Sequence, residues 1–426
     1  MTTETKQPTF SKYQIFIIAI LAILQFTVIL DFMVLSPLGA ILLKELHIST
    51  AQFGVVVSAY AFSAGASGLL AAGFADKFDR KKLLMFFYGG FLLGTFLCAM
   101  SPTYEFLLMA RIVTGIFGGV VGSIGFAIIT DLFKMEVRGR VMGFVMMAFA
   151  ASQVLGLPIG LVLANKFGWH SPFWMIAVFG LIVGAVMMIY MKPIDEHLKI
   201  KSERNPIQHL LKTLTTKDYV QGFVAGVLLS TGGFMLMPFG SAFSTNNLGL
   251  TMEDLPIVYG VTGICSILFG PLMGKLSDKI GKYPVFIIGT ILAMIMVSIY
   301  TRLEITPLWA VIALNVVLFA GISGRMISAQ ALSSAIPAPQ DRGAFMSINS
   351  SIAQISGGIA AACAGMIVVQ RPDGWLERYD ILGYVVLASM VVAAYLMYGV
   401  NKMVARKMAA QAAAKPTPSQ PVTTEA

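Results

Sequence analysis

The sequence is short of charge. Only 12% of its 426 residues are Asp, Glu, Lys or Arg, against roughly 25% in an average soluble protein, whereas 57% are hydrophobic. A chain this apolar cannot cover itself with a water-compatible surface, so most of it must lie in a lipid bilayer. The composition therefore excludes a soluble enzyme and leaves little room for a separate soluble domain.

Metal-binding and nucleotide-binding patterns are also missing. The three cysteines, Cys98, Cys265 and Cys363, stand singly in separate apolar stretches, which excludes a disulfide framework and a zinc site. The four histidines form no HExxH motif. The segment 270–276 has a glycine pair and a lysine, but its spacing is wrong for a phosphate-binding loop. We therefore expect a protein that is not an enzyme, carries no cofactor and is not driven by ATP.

What the sequence does contain is a series of apolar stretches of membrane-spanning length. A spanning helix needs about 20 such residues, and the chain offers twelve stretches. They cover approximately residues 14–39, 54–75, 83–100, 106–130, 141–165, 173–191, 220–243, 257–276, 285–300, 308–333, 343–369 and 381–400. The predicted fold is an all-α polytopic membrane protein with twelve transmembrane helices.

The basic residues are distributed unequally between the two sides of this predicted protein. Of the 30 Lys and Arg residues, 23 lie on the side of the chain termini, five lie on the other side and two lie inside spans. The positive-inside rule then places both termini in the cytoplasm, and the short basic loops fit a bacterial-type plasma membrane. The net charge of +9 is accounted for by these loops, so we expect no nucleic-acid partner. We expect a monomer in contact with lipid.

The sequence pattern indicates two related halves. The predicted organisation is a cytoplasmic N-terminus at 1–13, a six-helix bundle at 14–191, a basic linker at 192–219, a second six-helix bundle at 220–400 and a disordered cytoplasmic tail at 401–426. Four landmarks recur in the same order with offsets of 202 to 206 residues. They are Ser49 to Gln52 and Thr251 to Asp254, Asp76 and Asp278, Gly118-Gly119 and Gly324-Arg325, and Arg138-Gly139 and Arg342-Gly343. Recurrence of this kind indicates duplication.

The repeated acidic loop resembles a family motif. Residues 72–81 read Ala-Gly-Phe-Ala-Asp-Lys-Phe-Asp-Arg-Lys, and residues 274–282 read Gly-Lys-Leu-Ser-Asp-Lys-Ile-Gly-Lys. Both are similar to the G-x-L-a-D-r-x-G-r-k loop between spans two and three of the major facilitator superfamily. The second copy keeps both glycines of that motif, whereas Ala72 and Asp79 replace them in the first. This resemblance implies two pseudo-symmetric six-helix bundles that move a small-molecule substrate by alternating access.

Two further motifs indicate which group within the family the sequence resembles. Arg111, followed by Thr114-Gly115 and Gly118-Gly119, resembles the family's span-four motif. Gly156-Leu-Pro158-Ile-Gly160 resembles the span-five motif of drug:proton antiporters, and with the Gly168-Trp169 that follows it is closer to the predicted sugar and metabolite efflux group. Proline removes a helical donor, so Pro158 should bend or loosen span five. Pro238 could do the same in span seven.

Asp31 is the only carboxylate well inside a predicted span, where a charge costs at least about 2.5–3.5 kcal/mol. It lies about 6 Å outward of the middle of stretch 14–39, and Arg111 lies about 10 Å outward of the middle of span four. If spans one and four face each other, as the resemblance implies, the two side chains can meet. We expect Asp31 to couple transport to protons, the driving ion being H⁺, with Arg111 tuning it. The alternative is a permanent structural ion pair.

A second set of residues could line a substrate cavity. Arg325 lies about 7 Å inward of the middle of span ten with no acidic partner in view, and could bind an anionic group of the substrate or bond to backbone carbonyls. Polar side chains in spans also join helices, so cavity contact is one of two interpretations for each. The candidate cavity residues are Gln25, Gln153, Asn315, Arg325, Asn349 and Gln354.

The acidic loops suggest a gating role. The resemblance implies that Asp76, Arg80 and Asp131 form a charge network that closes the cytoplasmic side, with Asp278 and Lys282 as the corresponding pair in the second half. The alternative is that these loops serve only to hold the chain in its orientation.

The function expected from the sequence is secondary active transport, with proton-coupled efflux of a small organic solute or drug as the leading hypothesis. Proton symport or facilitated uptake of a metabolite is an alternative. A third hypothesis, from another class, is a membrane sensor on the same fold that moves no solute.

Overall fold

The computed structural model describes residues 10–71, 74–199, 206–338 and 341–413. Within these ranges, twelve helices are long and apolar enough to cross a membrane, which confirms the predicted all-α fold. The α-helices are Lys12–Val34, Gly39–Glu45, Thr50–Ala71, Arg80–Ala99, Tyr104–Leu132, Met135–Ala151, Leu157–Phe167, Ser171–Tyr190, Pro206–Thr215, Lys217–Leu236, Gly240–Asn246, Leu255–Ile280, Lys282–Tyr300, Leu308–Ser334, Arg342–Ile367 and Tyr379–Ala413.

Four shorter helical turns and one hairpin complete the secondary structure of the described residues. The 3₁₀ turns are Ala75–Lys77, Glu196–Lys199 and Met237–Phe239, a π-helical turn covers Ser152–Gly156, and strands Val369–Gln370 and Leu376–Glu377 pair antiparallel. We number the spans one to twelve in chain order: Lys12–Val34, Thr50–Ala71, Arg80–Ala99, Tyr104–Leu132, Arg140–Phe167, Ser171–Tyr190, Lys217–Asn246, Leu255–Ile280, Lys282–Tyr300, Leu308–Ser334, Ala344–Ile367 and Tyr379–Ala409. An even number of spans puts both chain ends on one side, which we call the terminal face; the other side is the distal face.

Local sequence explains where span two begins. The Ser49 hydroxyl accepts a hydrogen bond from the Gln52 backbone N–H at 3.2 Å, and the Gln52 side chain accepts one from the Ser49 N–H at 2.9 Å. This reciprocal capping box satisfies two backbone donors that a helix start otherwise leaves unpaired. At the corresponding start of span eight, Asp254 instead accepts bonds from the backbone and hydroxyl of Thr251.

Two predicted boundaries were wrong. Span one ends at Val34 rather than near residue 39, with Pro37 in the turn that follows, because proline cannot continue a helix's hydrogen bonding. The last helix runs to Ala413, so residues 401–413 of the predicted disordered tail are helical. That segment is rich in Ala, Met, Lys and Arg, which are strong helix formers. Residues 414–426 lie outside the described ranges.

Spans five and seven are both interrupted, and each interruption adjoins a proline. Span five changes from α-helix to a π-helical turn at Ser152–Gly156, and Pro158 lies in the first turn of the helix that resumes. Span seven changes to a 3₁₀ turn at Met237–Phe239, which contains Pro238. The α-helical ladder is therefore broken near the residues that the sequence indicated.

The two halves are joined by hydrogen bonds on the distal side, and spans two and eleven stay in contact beyond their middles, where Gly65 and Gly68 lie close to Ile355 and Ser351. Hydrogen bonds between described residues of different halves all lie in the distal half of the spans: Ser241 with Ser36 and Ala40, Thr50 with Val368, Ser58 with Gly358, and Asn165 with Met252. Span eight contacts span five almost entirely at residues 152–167, its distal part. The distal face is thus closed by direct contact between the halves.

Glycine makes this closure possible along spans two and eleven. A Cβ added to Gly54 would lie 2.8 Å from the carbonyl oxygen of Ala361 and 3.2 Å from the Cα of Gly365. Within the first half, a Cβ on Gly119 would lie 2.4 Å from the carbonyl oxygen of Ala64. Close approach of backbones needs residues without side chains, as expected for helices packed in a membrane.

Candidate functional site

An ion pair lies inside the first half, within the membrane-spanning region. Arg111 Nη1 is 2.7 Å from Asp31 Oδ2 and also donates to the Asp31 backbone oxygen at 3.2 Å. The side chain of Asp31 is 0% exposed and that of Arg111 is 1% exposed. The two residues lie at matching depths, about 12 Å and 10 Å from the middles of their helices on the distal side. The expected approach of Asp31 to Arg111 is therefore confirmed; their role in proton coupling stays a prediction.

Sequence reasoning missed the other members of this cluster. Thr95 in span three donates to the second carboxylate oxygen of Asp31 at 3.1 Å. The ring of Tyr60 in span two lies under Arg111, with the guanidinium carbon 4.5 Å from the ring centroid. The Thr95 hydroxyl and the Tyr60 side chain were the available signals, but sequence alone does not say which helices face each other. Four of the first six spans thus contribute to one buried site.

An aromatic contact connects this site to the second half. The Tyr60 ring packs against Phe32 with centroids 5.2 Å apart, and Phe32 packs against Phe234 of span seven at 5.7 Å. Phe234 in turn fills the space beside Gly357 of span eleven. The series from Arg111 to Phe234 crosses the interface between the halves.

At the terminal face, part of the predicted charge network is present. Arg80 Nε is 2.9 Å from Asp131 Oδ2 at the end of span four, and Arg80 Nη1 donates to the backbone oxygen of Ala75. The side chain of Asp76 lies outside the described part of the structure. In the second half, Asp278 near the end of span eight and Lys282 at the start of span nine form an ion pair across Gly281. Gating by these groups stays a prediction.

Asp79, where the motif has glycine, has a structural role that sequence reasoning did not assign. It caps span three by accepting from the Lys82 N–H at 2.9 Å, and it accepts from the Ile194 N–H at 3.2 Å. Its φ is −54°, whereas Gly281 at the corresponding position has φ +102°, a region that favours glycine. The two loops therefore differ in backbone path as well as in sequence.

The candidate cavity residues lie at different helix contacts. Gln25 lies opposite Gly122 of span four, the Gln153 backbone packs on Gly263 of span eight, and Asn349 packs on Gly226 of span seven. Asn315 donates to a carbonyl of its own helix at 2.9 Å. Among the described residues, several polar atoms in these spans are buried without a hydrogen-bond partner: Asn349 Oδ1, Gln354 Oε1, and Nε and Nη2 of Arg325. Their contact with substrate stays a prediction.

The chemistry available at the Asp31 site follows from burial and charge. A membrane carboxylate is stable when it is paired with a cation or when it carries a proton, and the structure shows the paired form. Any movement that separates spans one and four would leave both charges uncompensated. The site can therefore respond to the relative position of helices.

Comparison with known proteins agrees with this architecture. The model of the Major Facilitator Superfamily matches the chain twice, over residues 21–225 and 222–423. The chain is 29% identical over 279 residues to an uncharacterized MFS-type transporter, YceJ, of Bacillus subtilis (65% of this chain, 70% of the relative). It is 25% identical over 283 residues to Multidrug resistance protein 2 of the same organism (63% and 70%).

Solved structures share the fold at low sequence identity. A bacterial homologue of the human lysosomal transporter Spinster superimposes with a TM-score of 0.68 at 14% identity, covering 96% of this chain and all of that one. The nucleoside transporter NupG gives a TM-score of 0.70 at 16% identity, covering 90% and 99%. These findings confirm the resemblance to transporters rather than enzymes, including the likeness to the drug-efflux group. The chain belongs to the major facilitator superfamily and is a multi-pass membrane transporter.

Proposed function

We propose that this transporter exports a small organic solute by alternating access, driven by protons moving the opposite way, as a monomer without a cofactor. The protein would lie in the bacterial inner membrane with its terminal face toward the cytoplasm. That face carries 23 of the 30 basic residues, as the positive-inside rule expects of a cytoplasmic side. The observation that carries the proposal is the Asp31–Arg111 pair, which is buried within the membrane-spanning region.

The pair supports coupling because a buried carboxylate that loses its partner can become neutral, whereas a buried guanidinium cannot. Separated from its partner, a carboxylate can bind a proton, whereas a guanidinium stays charged under all ordinary conditions. A rearrangement that parts Asp31 from Arg111 therefore favours proton uptake, and re-formation of the pair favours release. Proton binding and helix position are then linked, as coupling requires.

The aromatic series gives this linkage a route to the gate. Arg111 stacks on Tyr60, and Tyr60 reaches Phe234 of the second half through Phe32. These contacts lie where the halves close at the distal face. A shift of Arg111 on loss of its partner would move the ring beneath it and disturb the interface.

Export rather than uptake is supported by the relatives. They include Multidrug resistance protein 2 and the lincomycin resistance protein LmrB, both of Bacillus subtilis. Resistance implies removal of a compound from the cell. The span-five segment around Pro158 agrees, since it resembles the antiporter motif.

Transport into liposomes tests the proposal. The purified protein is reconstituted with the pH-sensitive dye pyranine inside, and a panel of sugars, amino acids, organic acids and lipophilic cations is applied as gradients of each sign. We expect at least one solute gradient to drive protons in the opposite direction. Asp31→Asn should abolish the proton movement, while Glu304→Gln, which neutralises an exposed carboxylate, should leave it unchanged.

Other outcomes would overturn parts of the proposal. Protons that move in the same direction as the solute would establish symport. Proton coupling that survives in Asp31→Asn would make the pair structural. If a ligand raises the unfolding temperature but no solute moves under any gradient, the protein is a sensor.

A further inference from the structure

Arg325 is the second arginine inside a span, and its environment is unlike that of Arg111. It lies in span ten, about 6 Å from the helix middle toward the terminal face, and is 3% exposed. Within the described part of the chain, its Nε and Nη2 have no hydrogen-bond partner, and no charged neighbour acts on it. Arg111, by contrast, is matched by Asp31.

Ser328 extends this unsatisfied region by one helical turn. It is 0% exposed, and among the described residues its Oγ also lacks a partner. Residues three apart share a helix face, so the hydroxyl and the guanidinium lie on the same side of span ten. Buried polar groups are nearly always satisfied, and a buried charge without a partner is costly. A group from outside the chain is the natural partner for this pair.

The fold itself does not require an arginine here. The internal repeat aligns Arg325 with Gly119, where span four packs against the backbone of Ala64 without any side chain. The same architecture is therefore built in the first half with a hydrogen atom in place of a guanidinium. A residue that packing does not require, and whose burial costs energy, points to a function.

Span eight contacts span ten one residue before Arg325, and its own surface there carries little side-chain bulk. Gly324 lies against the sulfur of Met273 in span eight, at 3.3 Å from the position a Cβ would take. On either side of Met273 in the sequence, a Cβ on Gly270 or Gly274 would meet no atom within 4 Å. These two glycines of span eight therefore border open space.

We propose that Arg325 and Ser328 bind a carboxylate of the transported solute, so that the substrate is an organic anion; this rests on the transport function proposed above. The two free nitrogens, Nε and Nη2, form one edge of the guanidinium plane, and their parallel N–H bonds match the two oxygens of a carboxylate. The Ser328 hydroxyl adds a third donor on the same face.

The test compares carboxylates with their neutral amides of the same shape. Benzoate is paired with benzamide, and gluconate with gluconamide, and binding is measured as the rise in unfolding temperature of the full-length protein in phosphatidylcholine nanodiscs. We expect the wild type to prefer the acid of at least one pair. Arg325→Gln should weaken acid binding by about 10- to 100-fold and leave amide binding unchanged. Arg302→Gln, an exposed arginine at the distal face, is the matched control.

Several outcomes would overturn the proposal. A wild type that never prefers the acid overturns it without any variant, and so does undiminished acid binding in Arg325→Gln. Should Arg325→Gln fail to fold, Ser328→Ala is measured instead, with a loss of about 3- to 10-fold expected for the acid alone. Acid binding that disappears when phosphatidylglycerol is added would assign the site to a lipid phosphate. Proton-coupled transport is scored separately in liposomes, so its failure and the failure of the anion site remain distinguishable.

Discussion

The Asp31–Arg111 pair makes a quantitative prediction through a double-mutant cycle. Asp31→Asn and Arg111→Gln are made separately and together, and the free energy of unfolding of each protein is measured. The two charged atoms are 2.7 Å apart and essentially without solvent contact, so the variants remove charge from the interior rather than from the surface. The cycle isolates the interaction between the two side chains.

The single variants should differ. Asp31→Asn leaves a buried guanidinium without its counter-ion, which costs about 3–5 kcal/mol. Arg111→Gln leaves a carboxylate that can neutralise itself by binding a proton, so we expect a smaller loss of about 1–3 kcal/mol. The double variant has no buried charge and should be more stable than Asp31→Asn by about 3 kcal/mol. The interaction energy, which is the loss in the double variant minus both single losses, is then about 4–6 kcal/mol in magnitude.

Unfolding is followed in detergent micelles by circular dichroism during titration with a denaturant. Lys44→Gln and Glu304→Gln are the controls, because they remove exposed charges and should change stability by no more than about 0.5 kcal/mol. Losses that simply add in the double variant would contradict this prediction, since they would mean that the two charges do not stabilise each other.

Three further variants follow from packing and capping. Gly54→Val places a side chain 2.8 Å from the Ala361 oxygen and should lower the unfolding temperature by several degrees, measured by differential scanning fluorimetry. Asp79→Ala removes a helix cap and the bond to Ile194, and should cost about 1–2 kcal/mol in the same denaturant titration. Arg325→Met replaces an unpaired buried charge with an apolar side chain and should raise the ligand-free unfolding temperature or leave it unchanged.

The first two of these variants have a matched control, and the third has an outcome that would contradict it. Gly89→Val should be harmless, because no atom lies within 4 Å of a Cβ there; an equal loss at both glycines would contradict the packing argument. Asp79→Asn keeps a capping oxygen and should retain most of the stability, so equal damage by Asn and Ala would point to charge instead. A clear destabilisation by Arg325→Met would mean that the guanidinium holds the fold together.

Much of the fold could be predicted because the bilayer simplifies the physics. Any stretch of about 20 apolar residues must become a helix, since lipid offers no partner for the backbone. The meeting of Asp31 and Arg111 was predictable for a related reason: a membrane charge needs a counter-charge, and depth restricts the choice of partner. The capping box at Ser49 and Gln52 was predictable from local sequence alone.

The other contacts of the site could not be predicted, because they depend on which helices face each other. In a span that is apolar all round, hydrophobic periodicity no longer marks the buried side, so Tyr60 and Thr95 could not be assigned to the Asp31 site. The aromatic series joins Phe32 to Phe234, which lie in different halves and far apart in the sequence, so it could not be predicted. In the sequence, Asp79 is a departure from the glycine of the family motif. The structure shows that it caps span three with its side chain, whereas Gly281 precedes span nine without a side-chain cap.

The π-helical turn in span five makes the length of that span matter residue by residue. Each residue of an α-helix advances the chain by about 100°, and a π turn accommodates one residue more than an α turn. Deleting one residue from Ser152–Gly156 would let span five run as one regular helix with Leu157–Phe167 in nearly its present orientation, whereas a deletion elsewhere in the span would rotate that segment by about a quarter-turn. Only the deletion elsewhere would change the face that this segment presents to span eight. The alignment of the two halves is thus stored as a count of residues, and the π turn holds a residue of that count that can be removed without changing the alignment.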